Sequence, residues 1–218
     1  SSFYKKEKTA LTGQPIRDVL IPPTGYERVY GAKDRPVILV IGGSQGAQAI
    51  NDVILKALPE LLNNYDVVHQ TGAANLEDVK LFSQSVIKDH QFKDRYYVEG
   101  FIDVALFYPK VDLAITRAGS MIFELALWQL PMIVIPIPES ISRDQRSNAY
   151  AAASRGIANV IEEDNLSSTV LMNEVKRILD NKEVYKTMTE NCKVFDNSRE
   201  AASTIAREIV RIGLSHYK

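Results

Sequence analysis

The stretch 112-DLAITRAGSMIFELALWQLPMIVIPIPESISRDQRSNA-149 decides the fold. An apolar run at 112–116 breaks at Arg117-Ala118-Gly119-Ser120, and a helical pattern follows that carries Glu124 one turn in. A second apolar run, 132–136, empties into the polar loop 139–144. Strand, turn, helix, strand and loop in this order are the repeating unit of a parallel sheet covered by helices. Ligands of such sheets collect at the carboxyl ends of the strands. The polar clusters 117–124 and 142–145 both fall there.

Working outward, Val37–Ile41 is apolar, mostly β-branched, and predicts a buried parallel strand. It ends in the turn Gly42-Gly43-Ser44-Gln45-Gly46-Ala47, and a helix follows with Ile50, Val53, Ile54, Ala57, Leu58 and Leu61 on one face. Pro59 predicts a bend or an early end to that helix. Asp66–Gln70 and Tyr96–Glu99 read as further strands. Between them a helix is expected over 76–87 with Asn75 as N-cap, and after them a short amphipathic helix over 104–108. Downstream, 148–155 is helical up to Gly156, 158–161 is a last strand, and helices over about 168–180, 183–195 and 198–213 close the chain. The last carries Ala201, Ile205, Ile209 and Ile212 at helical spacing. The alternation predicts an α/β fold, a Rossmann-like doubly wound parallel sheet over 36–218. Residues 1–35 are punctuated by Gly13, Pro15, Pro22, Pro23, Gly25 and Gly31 and read as a linker or domain edge that delivers one cation, Arg17.

Composition excludes several classes. At 218 residues with a 45% hydrophobic content, one large domain with a sizeable core is expected. The net charge of -1 and scattered basic residues give no electrostatic case for nucleic acid. The single Cys192 cannot form an internal disulfide, and a reducing, cytoplasmic setting is the default. No apolar run approaches the ~20 residues of a membrane span, so a soluble or at most peripheral protein is expected. His69, His90 and His216 lack metal-site spacing, and no G-x-S-x-G elbow, Walker lysine or H-E-x-x-H is present. The chain opens on Ser1-Ser2-Phe3 without Met, which suggests a fragment or processed chain, with tag trimming as the alternative.

Chemistry concentrates at the turns. Gly42, Gly43 and Gly46 join a buried strand to a helix N-terminus, which suits a phosphate; a tight turn without a ligand is the alternative, since this is not the full dinucleotide fingerprint. Glu124 either complements the helix dipole or accepts from the hydroxyls of a ribose. Gly119 and Ser120 offer N–H and hydroxyl groups, and Arg117 pairs with Glu124, a phosphate or a nearby Asp. Asp144 and Gln145 reach sugar hydroxyls, unless Asp144 is merely an N-cap. Phe101 and Ile102 wall a flat ring or, as the pattern favours, fill the core.

Five motifs, TGQPIR at 12–17, GGSQGA at 42–47, EGFID at 99–103, TRAGS with a glutamate over 116–124 and SRDQRSNA at 142–149, stand in a shared register. In that order and approximate spacing the chain resembles, over essentially its whole length, the MurG-type transferases of glycosyltransferase family 28 in the GT-B superfamily. The resemblance implies the C-terminal, donor-binding half of a GT-B enzyme, with the N-terminal acceptor domain absent. It implies inverting, metal-independent transfer of GlcNAc from UDP-GlcNAc to undecaprenyl-pyrophosphoryl-MurNAc-pentapeptide, lipid I to lipid II, in peptidoglycan synthesis. No cofactor is implied: UDP-GlcNAc is a substrate, and lipid I binds through the N-terminal domain. That domain would also carry the general base and the patch that holds the enzyme peripherally on the inner face of the bacterial membrane.

By the same resemblance, Arg17 lies at the phosphate or base side of the donor, and Ser44 near the diphosphate or the reaction centre. Ile102 presents backbone groups to uracil, in place of the plain core reading. Ser120, Met121, Ile122 and Phe123 form the loop and helix start at the diphosphate, and Glu124 binds the ribose hydroxyls. Asp144 and Gln145 reach the GlcNAc hydroxyls, with Asn51, Gly42, Gly43, Gly46, Phe101, Arg117 and Gly119 in support. No catalytic residue is assigned in this half. Against the family pattern, 117–124 is one residue shorter, 142–145 lacks a glycine between Arg143 and Asp144, and no histidine stands near Glu139. The alternatives are another GT-B transferase, such as a diacylglycerol glycosyltransferase, and a non-catalytic nucleotide-sugar-binding subunit that docks on an acceptor-binding partner.

Overall fold

In the computed structural model the described residues are 9–215 apart from 11, 33, 44 and 142. Among them, β1 (Val37–Ile41), β2 (Asp66–Gln70), β3 (Tyr96–Glu99), β4 (Leu113–Thr116), β5 (Met132–Val134) and β6 (Ala158–Val160) form one sheet in the order β3-β2-β1-β4-β5-β6. Every pairing is parallel. β1, β4 and β5 are almost continuously apolar because both faces are covered, whereas β2 ends in the buried polar residues His69 and Gln70. Ile38 and Val40 meet α1 (Gln48–Asn64), α2 (Leu76–Val86), α5 (Ser168–Leu179) and α6 (Lys182–Cys192). Leu39 and Ile41 meet α3 (Met121–Leu127) and α4 (Arg143–Ser154) on the other side. The chain winds outward from β1 to β2 and β3, then crosses back to β4 on the opposite side of β1. Ile41 and Thr116, the last residues of β1 and β4, stand in register, so the loops 42–47 and 117–120 leave the sheet side by side at the switch point.

Several local expectations are corrected. α1 runs through Pro59 to Asn64 without an early stop, because Leu58, Leu61 and Leu62 bury its last turns in the core. Asn75 stands at the N-cap position of α2 but its side chain does not cap; its amide donates to the Thr71 carbonyl at 2.9 Å. The helix expected over 104–108 is two successive 3-10 turns, Val104–Leu106 and Tyr108–Lys110. Asp103 caps the first, and Pro109 stands at the start of the second. α4 begins at Arg143 rather than 148, which places Asp144 inside the first turn and not at its cap. Residues Lys193–Glu200 form a 3-10 segment between α6 and α7 (Ala201–Ser215). Of α7 only Ala201 is buried; Ile209 and Ile212 of the expected stripe are exposed.

Of the described residues before β1, Ile16, Leu20, Ile21 and Tyr26 pack on the α3 side of the sheet, whereas Tyr30 packs on the α5 and α6 side. Ile16 and Leu20 are buried, and Trp128 Nε1 donates to the Leu20 carbonyl at 2.8 Å. Gln129 accepts from the Arg28 N–H at 3.0 Å and donates to the Tyr26 carbonyl at 2.9 Å. Among the described residues no helix is long and apolar enough to cross a membrane.

Candidate functional site

Two turns at the carboxyl edge of the sheet are packed backbone on backbone. Gly46 has φ of 77°, and a Cβ there would lie 1.9 Å from the Thr71 carbonyl oxygen. Gly72, with φ of 83°, faces the Gln45 carbonyl in the same way, at 2.4 Å. Only glycine combines that dihedral with that approach. Asn51, fully buried beneath the turns, donates to the Thr71 carbonyl at 3.1 Å. Its amide oxygen therefore faces His69 Nε2 at 3.0 Å, and Nδ1 is left to accept from the Tyr96 hydroxyl at 2.8 Å. Burial pushes the His69 pKa down to about 3, so the ring stays neutral in this network. Asn51 thus supports the turns from below. Ser44 lies outside the described residues.

The edge opens into two cavities with Met121 in the wall of both. The first, of about 480 Å³, is bounded by Arg17, Gln70, Phe101, Ile102, Asp103 and Glu124. Glu124 is half-buried, and its Oε2 accepts from the Tyr108 hydroxyl at 2.9 Å. Buried Gln70 accepts from the Ile102 N–H at 3.1 Å and donates to the Gly43 carbonyl at 3.0 Å, so it ties this cavity to the glycine turn. Ile102 has its side chain in the core and its N–H already engaged by Gln70. Phe101 stands exposed at the rim, and Arg17 is exposed as well.

The second cavity, of about 550 Å³, is bounded by Gly42, Gly43, Gly46, Arg117, Gly119, Ser120 and Gln145, among others. α1 opens onto it with Ala47 at the N-cap, which has no side chain to cap the first N–H groups. A long helix ending there uncapped presents donors and the positive end of its dipole, which suits a phosphate. Arg117 pairs with Glu163 at 2.5 Å, not with Glu124, and also donates to the carbonyls of Ile135 and Pro136 at 3.2 Å. Gln145 Oε1 is buried with no hydrogen-bond partner among the described residues, whereas Asp144 beside it is exposed. Ile122 and Phe123 turn their side chains away from both cavities, Ile122 into the core and Phe123 edge-on against Phe195 at 5.7 Å. Their part in the site is limited to backbone groups. Among the described residues no group of three or more His, Cys, Asp or Glu side chains could hold a metal ion.

Sequence reasoning missed Gln70, Tyr108 and Glu163. Gln70 alone carried a signal, as a polar side chain closing an apolar strand.

Comparisons with known proteins agree with this geometry. Residues 37–207 match the model of the glycosyltransferase family 28 C-terminal domain. The chain is 34% identical over 209 residues to a Bacillus cereus protein named UDP-N-acetylglucosamine–N-acetylmuramyl-(pentapeptide) pyrophosphoryl-undecaprenol N-acetylglucosamine transferase 2, covering 94% of this chain and 56% of that one. The transferase of the same name, without the numeral, from Shouchella clausii is 32% identical over 193 residues, with 85% and 51% covered. The crystal structure of Acinetobacter baumannii MurG superposes with a TM-score of 0.64 at 26% identity, over 82% of this chain and 51% of that one. The glycosyltransferase of kitacinnamycin shares the fold, with a TM-score of 0.63 at 18% identity over 93% and 50%. The chain spans about half the length of the curated relatives it matches. Glycine turn, switch-point cavities and matched model converge, and the chain belongs to glycosyltransferase family 28, of which it carries the C-terminal domain.

Proposed function

We propose that this chain is the donor-binding half of a MurG-type transferase, holding UDP-GlcNAc while GlcNAc passes to lipid I to give lipid II in peptidoglycan synthesis. The observation that carries the reading is the pair of cavities on either side of Met121 at the switch point, one facing Glu124 and the other facing the glycine turn and the start of α1. The uridine occupies the first, with its ribose hydroxyls on Glu124. The diphosphate passes Met121 to the N–H groups of the turn, and the sugar reaches Gln145, whose buried oxygen accepts one of its hydroxyls.

Transfer is inverting. An acceptor oxygen attacks the anomeric carbon, the bond from that carbon to the β-phosphate oxygen breaks, and its electron pair leaves with UDP. Oriented N–H groups stabilise the charge that develops on the diphosphate, and the reading requires no metal. The general base and the lipid I site belong to an N-terminal half, through which the whole enzyme sits peripherally on the inner face of the cell membrane.

Calorimetric titration of the 218-residue chain with UDP-GlcNAc, UDP-GalNAc and UDP-glucose, with and without EDTA, tests this. Binding that prefers UDP-GlcNAc and ignores EDTA is expected. A different preferred sugar would move the assignment to another GT-B transferase, and loss of binding with EDTA would overturn the metal-free mechanism.

A further inference from the structure

Glu124 is held before any ligand arrives. The Tyr108 hydroxyl donates to Oε2 at 2.9 Å, and Tyr108 is itself fully buried. The turn that carries Tyr108 is clamped in place. Arg28 Nη2 donates to the Tyr108 carbonyl at 2.9 Å, Nε to the Trp128 carbonyl at 2.8 Å, and Nη1 to the carbonyl of Val111. One guanidinium thereby ties the Tyr108 turn to the end of α3, the helix that bears Glu124. Burial, and after it the nearby Glu124 charge, raises the Tyr108 pKa, so the hydroxyl stays protonated and remains a donor. Oε1 of Glu124 has no partner among the described residues, and Glu124 borders the cavity.

A carboxylate pinned through one oxygen presents the other at a fixed position and angle. That geometry is worth most to a ligand group whose donors are themselves fixed, such as the adjacent hydroxyls of a ribose. Ordering the side chain in advance removes an entropic cost that binding would otherwise carry.

We propose that Tyr108 is the positioning residue that makes this cavity select a ribonucleotide over its deoxy counterpart, by holding Glu124 toward the two ribose hydroxyls. The inference rests on the nucleotide-sugar reading above.

The test is titration of the parent chain, Tyr108→Phe and Glu124→Gln with UDP and with 2′,3′-dideoxy-UDP. The parent is expected to prefer UDP. Tyr108→Phe is expected to weaken UDP about five- to tenfold and to leave the dideoxy compound unchanged. A merely structural role would weaken both ligands together and keep their ratio, and a parental ratio in Tyr108→Phe overturns the proposal. Glu124→Gln, which keeps Tyr108, decides the matter if that variant does not fold. In Glu124→Gln the phenol draws the amide oxygen to itself and turns the NH₂ toward the ligand. Glu124→Gln is therefore expected to lose most of the preference for UDP over the dideoxy compound, and a parental preference in it overturns the idea. A parent chain that binds neither compound overturns the nucleotide reading itself. One that binds both equally leaves that reading standing and removes the role of Tyr108.

Discussion

The two cavities flanking Met121 differ in how completely the chain satisfies its own polar groups. On the Glu124 side, Gln70 uses both ends of its amide on backbone, Asp103 accepts from the Ala105 N–H, and Glu124 is anchored by Tyr108. On the other side, Arg117 is committed to Glu163 and two carbonyls, while Gln145 keeps a buried oxygen without a partner among the described residues. A buried acceptor left unpaired costs about 1–3 kcal/mol. The first cavity is therefore held in shape by the chain's own contacts. The second keeps one buried acceptor open among the described residues. On the nucleotide-sugar reading, affinity resides mainly with the nucleoside and sugar discrimination with Gln145.

The largest effect is expected at the packed glycine turn that borders the second cavity. Gly46→Ala combines a left-handed φ with a Cβ 1.9 Å from a carbonyl oxygen, and should destabilise the fold by about 3 kcal/mol in urea unfolding. Gly119→Ala, on the rim of the same cavity, meets nothing within 4 Å among the described residues and should change stability by less than about 1 kcal/mol. Comparable losses in both would end the distinction between the packed floor and the open rim of that cavity.

Glu124→Ala comes next. Removing a charged acceptor from the first cavity should weaken UDP about 10- to 100-fold in calorimetry while the chain still folds, at a cost of about 1–3 kcal/mol for the Tyr108 hydroxyl left without its acceptor. Unchanged affinity would remove the ribose assignment.

The third prediction concerns acid. His69 is neutral in the fold down to about 3, whereas its ordinary value is 6.5. Above pH 6.5 neither state binds the proton and the contribution is fully present. Between 6.5 and 3 the unfolded chain takes up a proton that the native chain refuses, so stability falls by up to about 1.4 kcal/mol per pH unit. His69→Gln should flatten that slope by one proton between pH 6.5 and 5, and parallel slopes for parent and variant would count against the buried neutral ring.

The smallest effect sharpens the open side. Gln145→Met removes the unpaired acceptor at similar shape and should stabilise the free chain by up to about 1 kcal/mol. The same variant should lose its preference for UDP-GlcNAc over UDP several-fold. A destabilised variant would mean that the oxygen already has a partner.

Val37–Ile41, Asp66–Gln70 and Tyr96–Glu99 were legible to the residue: the first writes itself as an apolar, β-branched run because both its faces are buried, and the other two, the last a partly exposed edge strand, carry β-branched and aromatic residues. The glycine turn after β1 was legible for the same kind of reason: a positive φ leaves a mark on the residue type that occupies it. Glu124 was found by its place one turn into a helix after a Gly-Ser turn. Asn75 was misassigned because an asparagine before a helix looks the same whether it caps its own helix or bonds a carbonyl of the preceding turn.

Periodicity and turn chemistry were thus sufficient for the fold class and for the edge of the sheet where the site lies, since both are set by dihedral preference and burial within short windows. They could not say that Tyr108 holds Glu124, that Gln70 joins Gly43 to Ile102, or that Arg117 answers Glu163 rather than Glu124. Those pairings follow from the strand order, with β4 returning to lie beside β1, which brings loops far apart in the chain to one edge. Strand order is settled by packing summed over the whole chain, and no local window contains that sum.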